Sequence, residues 1–329
     1  MLRLPNFSFH QPGDVAEAVR IAADHGKGAR FVAGGTDLYP NMKRRHQRPA
    51  HVVSLARLPE LHRIEGDPSG GVTIGAMVKL SELEFSPMLR DAYPAVAEAA
   101  SLVSTPLLRN MGTIGGNLLL DTRCNYYDQS HEWRESINFC LKCDGDTCWV
   151  APSSPRCWAV QSSDSVPLLC AMDAEATLLS TEGERRIPVR DLYNDDGIDY
   201  LTIRPGELLT QVHLPPANGW RASYRKLRRR GTFDFPVLGV GVCVERDGDA
   251  ISDVRIRIGG AGSHAIPATA AEDVLRGEVP TDDLIEQAAS CAYKPTLAMD
   301  NTDYEAPWRK KMAPIFVARA LRDCLVEPG

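Results

Sequence analysis

The chain has no excess of basic residues and no long apolar stretch. Its 329 residues contain 37 Lys and Arg against 43 Asp and Glu, a net charge of −6, which argues against a protein devoted to nucleic acid. No apolar run reaches the ~18–20 residues of a membrane-spanning helix. The first seven residues, Met1 to Phe7, lack the apolar stretch of a signal peptide. These absences predict a cytoplasmic protein without membrane or nucleic-acid partners.

Familiar phosphate and zinc motifs are also missing. The sequence has no Walker A motif and no H-E-x-x-H motif. Gly260-Ala261-Gly262-Ser263-His264-Ala265 matches the dinucleotide pattern G-x-G-x-x-A, but Pro267 follows immediately. The next predicted helix therefore starts too late to present its N-terminus to a phosphate. We do not expect this segment to bind a dinucleotide.

Hydrophobic and charged residues, at 43% and 24%, are typical of globular proteins. Strand patterns cover 29–32, 51–55, 71–76, 175–180, 207–214, 237–245 and 250–259. Helix patterns cover 94–103, 269–275, 282–293 and 308–325, and an earlier helix is capped at Asp14 and ended by Gly26. This mixture predicts an α+β fold, with breaks near 57 and 217.

Two loops each carry a glycine pair beside small and hydroxyl residues. The first, Val32-Ala33-Gly34-Gly35-Thr36-Asp37-Leu38, follows a predicted strand, and the second runs from Arg109 to Asn117. Glycine lets backbone N–H groups approach and point at one anion. Two such loops could hold the two phosphates of a dinucleotide. For either loop alone, an ordinary tight turn is the alternative.

Cysteine is concentrated in one segment. Five of the nine cysteines lie between Cys124 and Cys157, where an even spread would give about one. Their spacing is Cys124-x15-Cys140-x2-Cys143-x4-Cys148-x8-Cys157. In a reducing compartment such a group indicates metal ligands more than disulfides. Zinc sites usually have paired C-x2-C sequences, and an iron–sulfur cubane needs four thiolates at spacings that vary. Spacing alone leaves iron–sulfur, zinc and no metal open.

The two glycine loops resemble the FAD-binding loops of the molybdenum hydroxylase family, which includes xanthine and carbon monoxide dehydrogenases. Three further segments strengthen this resemblance: Ser163-Asp164-Ser165-Val166-Pro167, Tyr224-Arg225-Lys226 and Glu272-x-x-Leu275-x-Gly277. Together they cover nearly the whole chain. The resemblance identifies the chain as similar to the flavin, or medium, subunit of that family.

The resemblance implies a two-lobed FAD-binding domain of the vanillyl-alcohol-oxidase-like (PCMH) type and a smaller α/β C-terminal domain of the CO dehydrogenase flavoprotein type. The lobes would be residues 1–57 and 58–217, and the C-terminal domain 218–329. The implied FAD-binding residues are Val32, Ala33, Gly34, Gly35, Thr36, Asp37, Leu38, Thr113, Ile114, Gly115, Gly116, Asn117, Asp164, Leu209 and Lys226. The glycine loops would hold the pyrophosphate, and Lys226 would stabilise negative charge on the reduced ring.

The chain departs from most of the family in residues 121–158, which would be a cysteine-rich inserted loop. A similar insertion occurs in the flavin subunits of the 4-hydroxybenzoyl-CoA reductases, where it holds a [4Fe–4S] cluster. That resemblance implies Cys124, Cys140, Cys148 and Cys157 as the ligands. This set leaves out Cys143, although both cysteines of a C-x2-C pair usually bind the metal.

The implied function is electron transfer in an oxidoreductase complex whose substrate site lies on another subunit, so we expect no catalytic residue here. The implied partners are a large molybdopterin-binding subunit and a small subunit with two [2Fe–2S] clusters, in a dimer of heterotrimers. A low-potential donor such as ferredoxin would supply electrons for dehydroxylation of 4-hydroxybenzoyl-CoA. Two alternatives remain open. One is a molybdenum hydroxylase flavin subunit that passes electrons outward and has a structural zinc insert. The other is a zinc-containing binding module without flavin.

Overall fold

A computed structural model describes residues 3–325; the outermost residues of the first and last predicted domains, 1–2 and 326–329, lie outside it. The first region contains strands β1 (Ser8–His10), β2 (Ala29–Val32) and β3 (His51–Ser54) and helices α1 (Val15–His25) and α2 (Leu38–Lys43). The strands form a parallel sheet in the order β1-β3-β2. The Asp14 carboxylate accepts a hydrogen bond from the Glu17 amide at 2.7 Å, so helix α1 begins where its cap predicts.

A five-stranded antiparallel sheet follows. Its strands are β4 (Ile64–Asp67), β5 (Gly71–Gly75), β6 (Glu175–Ser180), β7 (Gly183–Pro188) and β8 (Leu208–Leu214). Their order is β4-β5-β8-β6-β7. Between β5 and β6 the chain forms short helices: α3 (Leu80–Phe85), α4 (Pro87–Ala92), α5 (Pro94–Ser101), α6 (Pro106–Arg109), α7 (Ile114–Leu118), α8 (His131–Ser136) and α9 (Ser165–Ala171). Helices α5 and α9 share the largest apolar core with this sheet.

The last region is an antiparallel sheet covered by helices. Its elements are β9 (Trp220–Leu227), β10 (Leu238–Asp247), β11 (Ala250–Gly259), β12 (Ile266–Pro267), α10 (Thr269–Leu275), α11 (Asp282–Cys291) and α12 (Ala306–Leu325). The sheet order is β12-β11-β10-β9. Strands β10 and β11 form a hairpin whose turn contains Gly248 at φ 58°. All three helices bury apolar residues in the same core as the hairpin.

The predicted α+β fold is confirmed. Residues 260–265 form a turn that packs against neighbouring segments. The Gly260 carbonyl accepts from the buried Arg309, and the Ser263 hydroxyl donates to the Ala159 carbonyl at 2.8 Å. Among residues 3–325, no helix is both long and apolar enough to cross a membrane.

Candidate functional site

The two glycine loops meet backbone to backbone. The first loop leaves β2 at Val32, and the second leads into α7. A Cβ atom built on Gly34 would overlap the backbone carbonyl of Met111 in the second loop. Glycine at position 34 is therefore required by the close approach of the loops themselves. The structure thus brings together two segments that lie about 80 residues apart.

The loops differ in the backbone donors that they leave free. In the second loop the amides of Ile114, Gly115 and Asn117 donate to backbone carbonyls at 2.9–3.0 Å, and the Gly116 amide donates to the Thr113 hydroxyl at 3.1 Å. Within residues 3–325, no protein acceptor is recorded for the amides of residues 34–36 in the first loop. The first loop therefore supplies the free N–H groups that an anion would need.

Gly116 faces open space. A Cβ built there would meet only the Thr113 hydroxyl at 3.2 Å and the Ala33 methyl group at 4.0 Å. Packing within the protein excludes any side chain at position 34. At position 116 the Thr113 hydroxyl would have to shift only slightly to admit one. A phosphate or another ligand group has room beside Gly116.

A buried polar network connects the second loop to strand β9. The Ser163 hydroxyl donates to the Asn117 side-chain oxygen at 2.6 Å. The next residue, Asp164, accepts from the Tyr224 hydroxyl at 2.8 Å and from Lys226 Nζ at 2.9 Å. Lys226 Nζ also donates to the Leu102 carbonyl at 2.9 Å. The network fixes the orientation of these predicted FAD-binding side chains.

Asp164 and Lys226 form a buried ion pair whose side chains are 3% and 1% exposed. Burial raises the pKa of Asp164, and the positive charge of Lys226 opposes that shift. Burial likewise lowers the pKa of Lys226, and Asp164 opposes that shift. Each partner therefore favours the charged form of the other in a site that disfavours isolated charges. Leu209, the remaining predicted ring-side residue, lies in β8 and is buried in the core next to Leu178.

The cysteine segment, residues 121–158, brings four of its sulfur atoms to one small cavity. Cys124, Cys140, Cys148 and Cys157 line this cavity together with Tyr126, Tyr127, Leu141, Lys142, Trp149, Val150 and Ala159. All four cysteines are buried and free of disulfides. Burial raises the pKa of the Cys124 thiol to about 12 and that of Cys157 to about 11. Within residues 3–325, no three of these sulfur atoms lie within 4.8 Å of one another. Four cysteines around one cavity are candidate ligands of an iron–sulfur cluster, and they would have to move closer together to bind a single metal ion.

Cys143 has different neighbours. Its Sγ accepts a hydrogen bond from Arg134 Nη1 at 2.8 Å and lies 3.5 Å from the Asp144 carboxylate. Its amide donates to the Cys140 carbonyl at 2.8 Å, which closes a tight turn between the two cysteines. Cys143 is not among the residues that line the cavity. Cys143 nevertheless packs in the same buried cluster as Cys124, Cys140 and Cys157.

One ion pair connects the cysteine segment to the first glycine loop, and others brace the segment itself. Arg123, which precedes the first cysteine, pairs with Asp37 of the loop and with Asp128. Lys142 Nζ donates to the buried Asp121 carboxylate at 2.7 Å. The positive charge of Lys142 lowers the pKa of Asp121, although burial acts in the opposite direction. The segment is thus fastened beside the candidate flavin loop.

Sequence reasoning did not identify Arg123, Arg134 or Lys142. Each is an isolated basic residue in a segment without periodicity, and the Asp37 partner of Arg123 lies 86 positions away. The only available signal was the presence of basic residues between cysteines, where a positive charge can compensate thiolates. That signal does not reveal which acidic or thiol partner each residue contacts.

Two family models match the chain in succession. Residues 5–217 match the FAD binding domain in molybdopterin dehydrogenase, and residues 222–324 match the CO dehydrogenase flavoprotein C-terminal domain. The chain belongs to the FAD-binding subunits of this molybdenum enzyme family. It is therefore a flavoprotein subunit of an oxidoreductase complex, and the predicted family and enzyme class are confirmed.

Relatives of this family cover almost the whole chain. The carbon monoxide dehydrogenase medium chain of Hydrogenophaga pseudoflava is 28% identical, over 96% of both chains. The aldehyde oxidoreductase FAD-binding subunit PaoB of Escherichia coli K12 is 32% identical, over 77% of this chain and 81% of its own. The Hydrogenophaga carbon monoxide dehydrogenase structure superposes with a TM-score of 0.79 at 28% identity and covers 98% of each chain.

These comparisons confirm the two-domain FAD-binding fold. They do not test four predictions: the individual site residues, the boundary near 57, the iron–sulfur cluster and a 4-hydroxybenzoyl-CoA reductase activity. Those four points stay predictions.

Proposed function

We propose that this chain binds FAD between its two glycine loops and a [4Fe–4S] cluster in its cysteine segment, and that it transfers electrons within a molybdenum enzyme. The observation that supports the cluster proposal is the cavity lined by Cys124, Cys140, Cys148 and Cys157, which Cys143 does not line.

The FAD proposal rests on free donors and open space. The amides of residues 34–36 would bind the pyrophosphate, and the second loop would form the opposite wall, with Gly116 leaving room for it. When bound, FAD exchanges one or two electrons and so joins one-electron clusters to a two-electron reaction. Asp164, Leu209 and Lys226 are the proposed residues on the ring side. There Lys226 would contribute a positive charge that Asp164 holds in place.

The proposed partners are the subunits that this family's complexes need for the remaining cofactors. A large subunit would bind the molybdopterin and the substrate, and a small subunit would hold two [2Fe–2S] clusters, in a dimer of heterotrimers. The proposed reaction adds two electrons and two protons to 4-hydroxybenzoyl-CoA. The aryl C–O bond breaks, and benzoyl-CoA and water are released. A low-potential donor such as ferredoxin would deliver the electrons through the cysteine segment.

The names of the relatives favour a second function. Carbon monoxide dehydrogenase and 6-hydroxypseudooxynicotine dehydrogenase remove electrons from their substrates. This chain would then pass electrons from the molybdenum subunit outward through FAD, and four thiolates around zinc would serve only to hold the segment together.

Metal analysis of the chain, purified without oxygen, distinguishes the two proposals. The cluster proposal predicts about four iron atoms per FAD in this subunit and no zinc bound to its cysteines. The alternative predicts no iron and about one cysteine-bound zinc per FAD. The intact complex then tests the direction of electron flow. Supplied with a reduced low-potential donor, it should convert 4-hydroxybenzoyl-CoA to benzoyl-CoA. A complex that contains the iron but only oxidises substrates would refute the proposed reaction and leave the cluster proposal standing.

A further inference from the structure

Three histidine side chains converge beside the small parallel sheet. His10 is the last residue of β1, His25 is the last residue of α1, and His51 is the first residue of β3. His10 Nε2 lies 3.0 Å from His51 Nδ1, and one ring nitrogen from each of the three residues lies within 4.8 Å of the others. The group therefore joins three elements that are distant in the sequence.

This group is separate from the glycine loops. His51 pairs in register with Ala29, the first residue of β2, whereas the first glycine loop leaves the same strand at its other end, after Val32. His51 therefore lies at the opposite end of the sheet from the candidate flavin site, and His10, which is in register with Val53, reaches His51 through its side chain. The three histidines have no part in the proposed FAD or cluster binding.

We propose that His10, His25 and His51 bind a divalent transition-metal ion, with Zn²⁺ as the ion to test. Neutral imidazole is a preferred ligand of zinc, copper and nickel ions. At a Zn–N distance of about 2.0–2.1 Å, two ligands of a tetrahedral ion stand roughly 3.3 Å apart. The 3.0 Å separation of the His10 and His51 nitrogens is close to that value. Three imidazoles leave the fourth position of the ion for water.

His25 is the movable ligand of this site. Its ring stacks on His51 with centroids 3.5 Å apart and planes within 4°. Stacked rings direct their in-plane nitrogen lone pairs in parallel, so His25 must turn out of the stack to share an ion with His51. His25 is exposed at the end of its helix, whereas His10 and His51 are half-buried. Two ligands are therefore held in place, and the third is free to close on the ion.

Binding would connect β1, α1 and β3 through one ion. An ion that binds only the folded chain stabilises it in proportion to its occupancy. The expected role is thus a metal link that secures the first lobe at the end away from the glycine loop.

Equilibrium dialysis of the FAD-containing chain against buffered free Zn²⁺ tests the proposal. The wild-type chain should bind one more zinc ion per chain than His51→Gln or His25→Gln, whose affinity at this site should fall by roughly tenfold or more. His62→Gln replaces an exposed histidine outside the group and should match the wild type. Zinc bound to the cysteine segment is common to all four proteins and cancels in the comparison.

X-ray absorption at the zinc edge identifies the ligands of the additional ion. A shell of nitrogen and oxygen atoms is expected, and a sulfur shell would contradict the proposal. Equal zinc binding by wild type and His25→Gln would also overturn it. That variant alters an exposed side chain, so its result stands even if His51→Gln perturbs the fold.

Discussion

Arg134 Nη1 lies 2.8 Å from Cys143 Sγ, and Cys143 is the one cysteine of residues 121–158 that does not line the shared cavity. Arg134 is fully buried and also donates to the Arg44 carbonyl at 3.0 Å. One side chain thus holds the Cys143 thiol and ties helix α8 to the first region of the chain.

Replacing Arg134 should destabilise the protein. Arg134→Met leaves the Arg44 carbonyl and the Cys143 thiol without their buried donor, which should cost about 1–3 kcal/mol in the free energy of unfolding. Arg48→Met is the matched control. Arg48 is half-exposed, and its contact with the Asp144 carboxylate is long, at 3.7 Å. The control should change stability by less than about 0.5 kcal/mol in urea unfolding. Equal effects of the two variants would contradict the structural role of Arg134.

Substitutions in the two glycine loops should have different effects: one should impair FAD binding and the other folding. Gly116→Val should fold and lose most of its FAD, because the new side chain enters the space left for a ligand. Gly34→Ala should fail to fold correctly, because its Cβ overlaps the Met111 carbonyl. Gly28→Val is the control, since a Cβ at Gly28 has no neighbour within 4 Å. The FAD-to-protein ratio and circular dichroism measure these outcomes. Full FAD content in Gly116→Val would contradict the proposed binding site.

The Asp164–Lys226 pair should show strong energetic coupling. Lys226→Met leaves a buried carboxylate without its counter-charge, at a cost of about 3–5 kcal/mol. Adding Asp164→Asn should recover part of that loss, which gives a coupling energy above about 1 kcal/mol in a double-mutant cycle. The exposed pair Arg186–Glu175 on β7 and β6 is the control and should couple by less than about 1 kcal/mol. Similar coupling in both cycles would show that burial does not strengthen the interaction.

His46 should make stability depend on pH. Burial and the nearby charges of Arg134 and Arg44 lower its pKa from 6.5 to about 4, although Asp128 acts in the opposite direction. The unfolded chain therefore takes up a proton between pH 6.5 and about 4 that the folded chain excludes. The stabilisation is fully present above pH 6.5 and is lost as the pH falls through this window.

His46→Gln should accordingly reduce the slope of Tm against pH within that window, and His62→Gln should leave it unchanged. Differential scanning calorimetry at several pH values measures both slopes. An unchanged slope in His46→Gln would show that the pKa of this residue is the same in the folded and unfolded chains.

Local patterns predicted most of the longer helices and strands, missed many short ones such as β4 and β7, and predicted none of the contacts of the cysteine segment. The β10–β11 hairpin was predicted within two residues at each end, because Asp247-Gly248 marks its turn and the flanking residues are strongly apolar. Helix α8 was missed, although Ser130 caps it, because its six residues carry no apolar face. The pairing of Arg123 with Asp37 depends on how two distant loops pack, and no local pattern records it.

The cysteine ligand set was predicted by resemblance and is still untested. The convergence of four sulfurs on one cavity supports it, but spacing could not separate Cys143 from the others. In the structure Cys143 differs from the others in two ways: it does not line the cavity, and it accepts a hydrogen bond from Arg134 nine positions away.

The most direct test of the account compares Cys148→Ser with Cys143→Ser by iron counting and low-temperature EPR of the reduced, anaerobically purified protein. Cys143→Ser should retain about four iron atoms per FAD and the cubane signal, because Cys143 lies outside the cavity. Cys148→Ser should lose or distort that signal, because it removes one of the four proposed ligands. The reverse pattern would contradict the ligand assignment, and an intact cubane signal in both variants would exclude Cys148 as a ligand. The absence of iron from the wild-type protein would contradict the cluster itself.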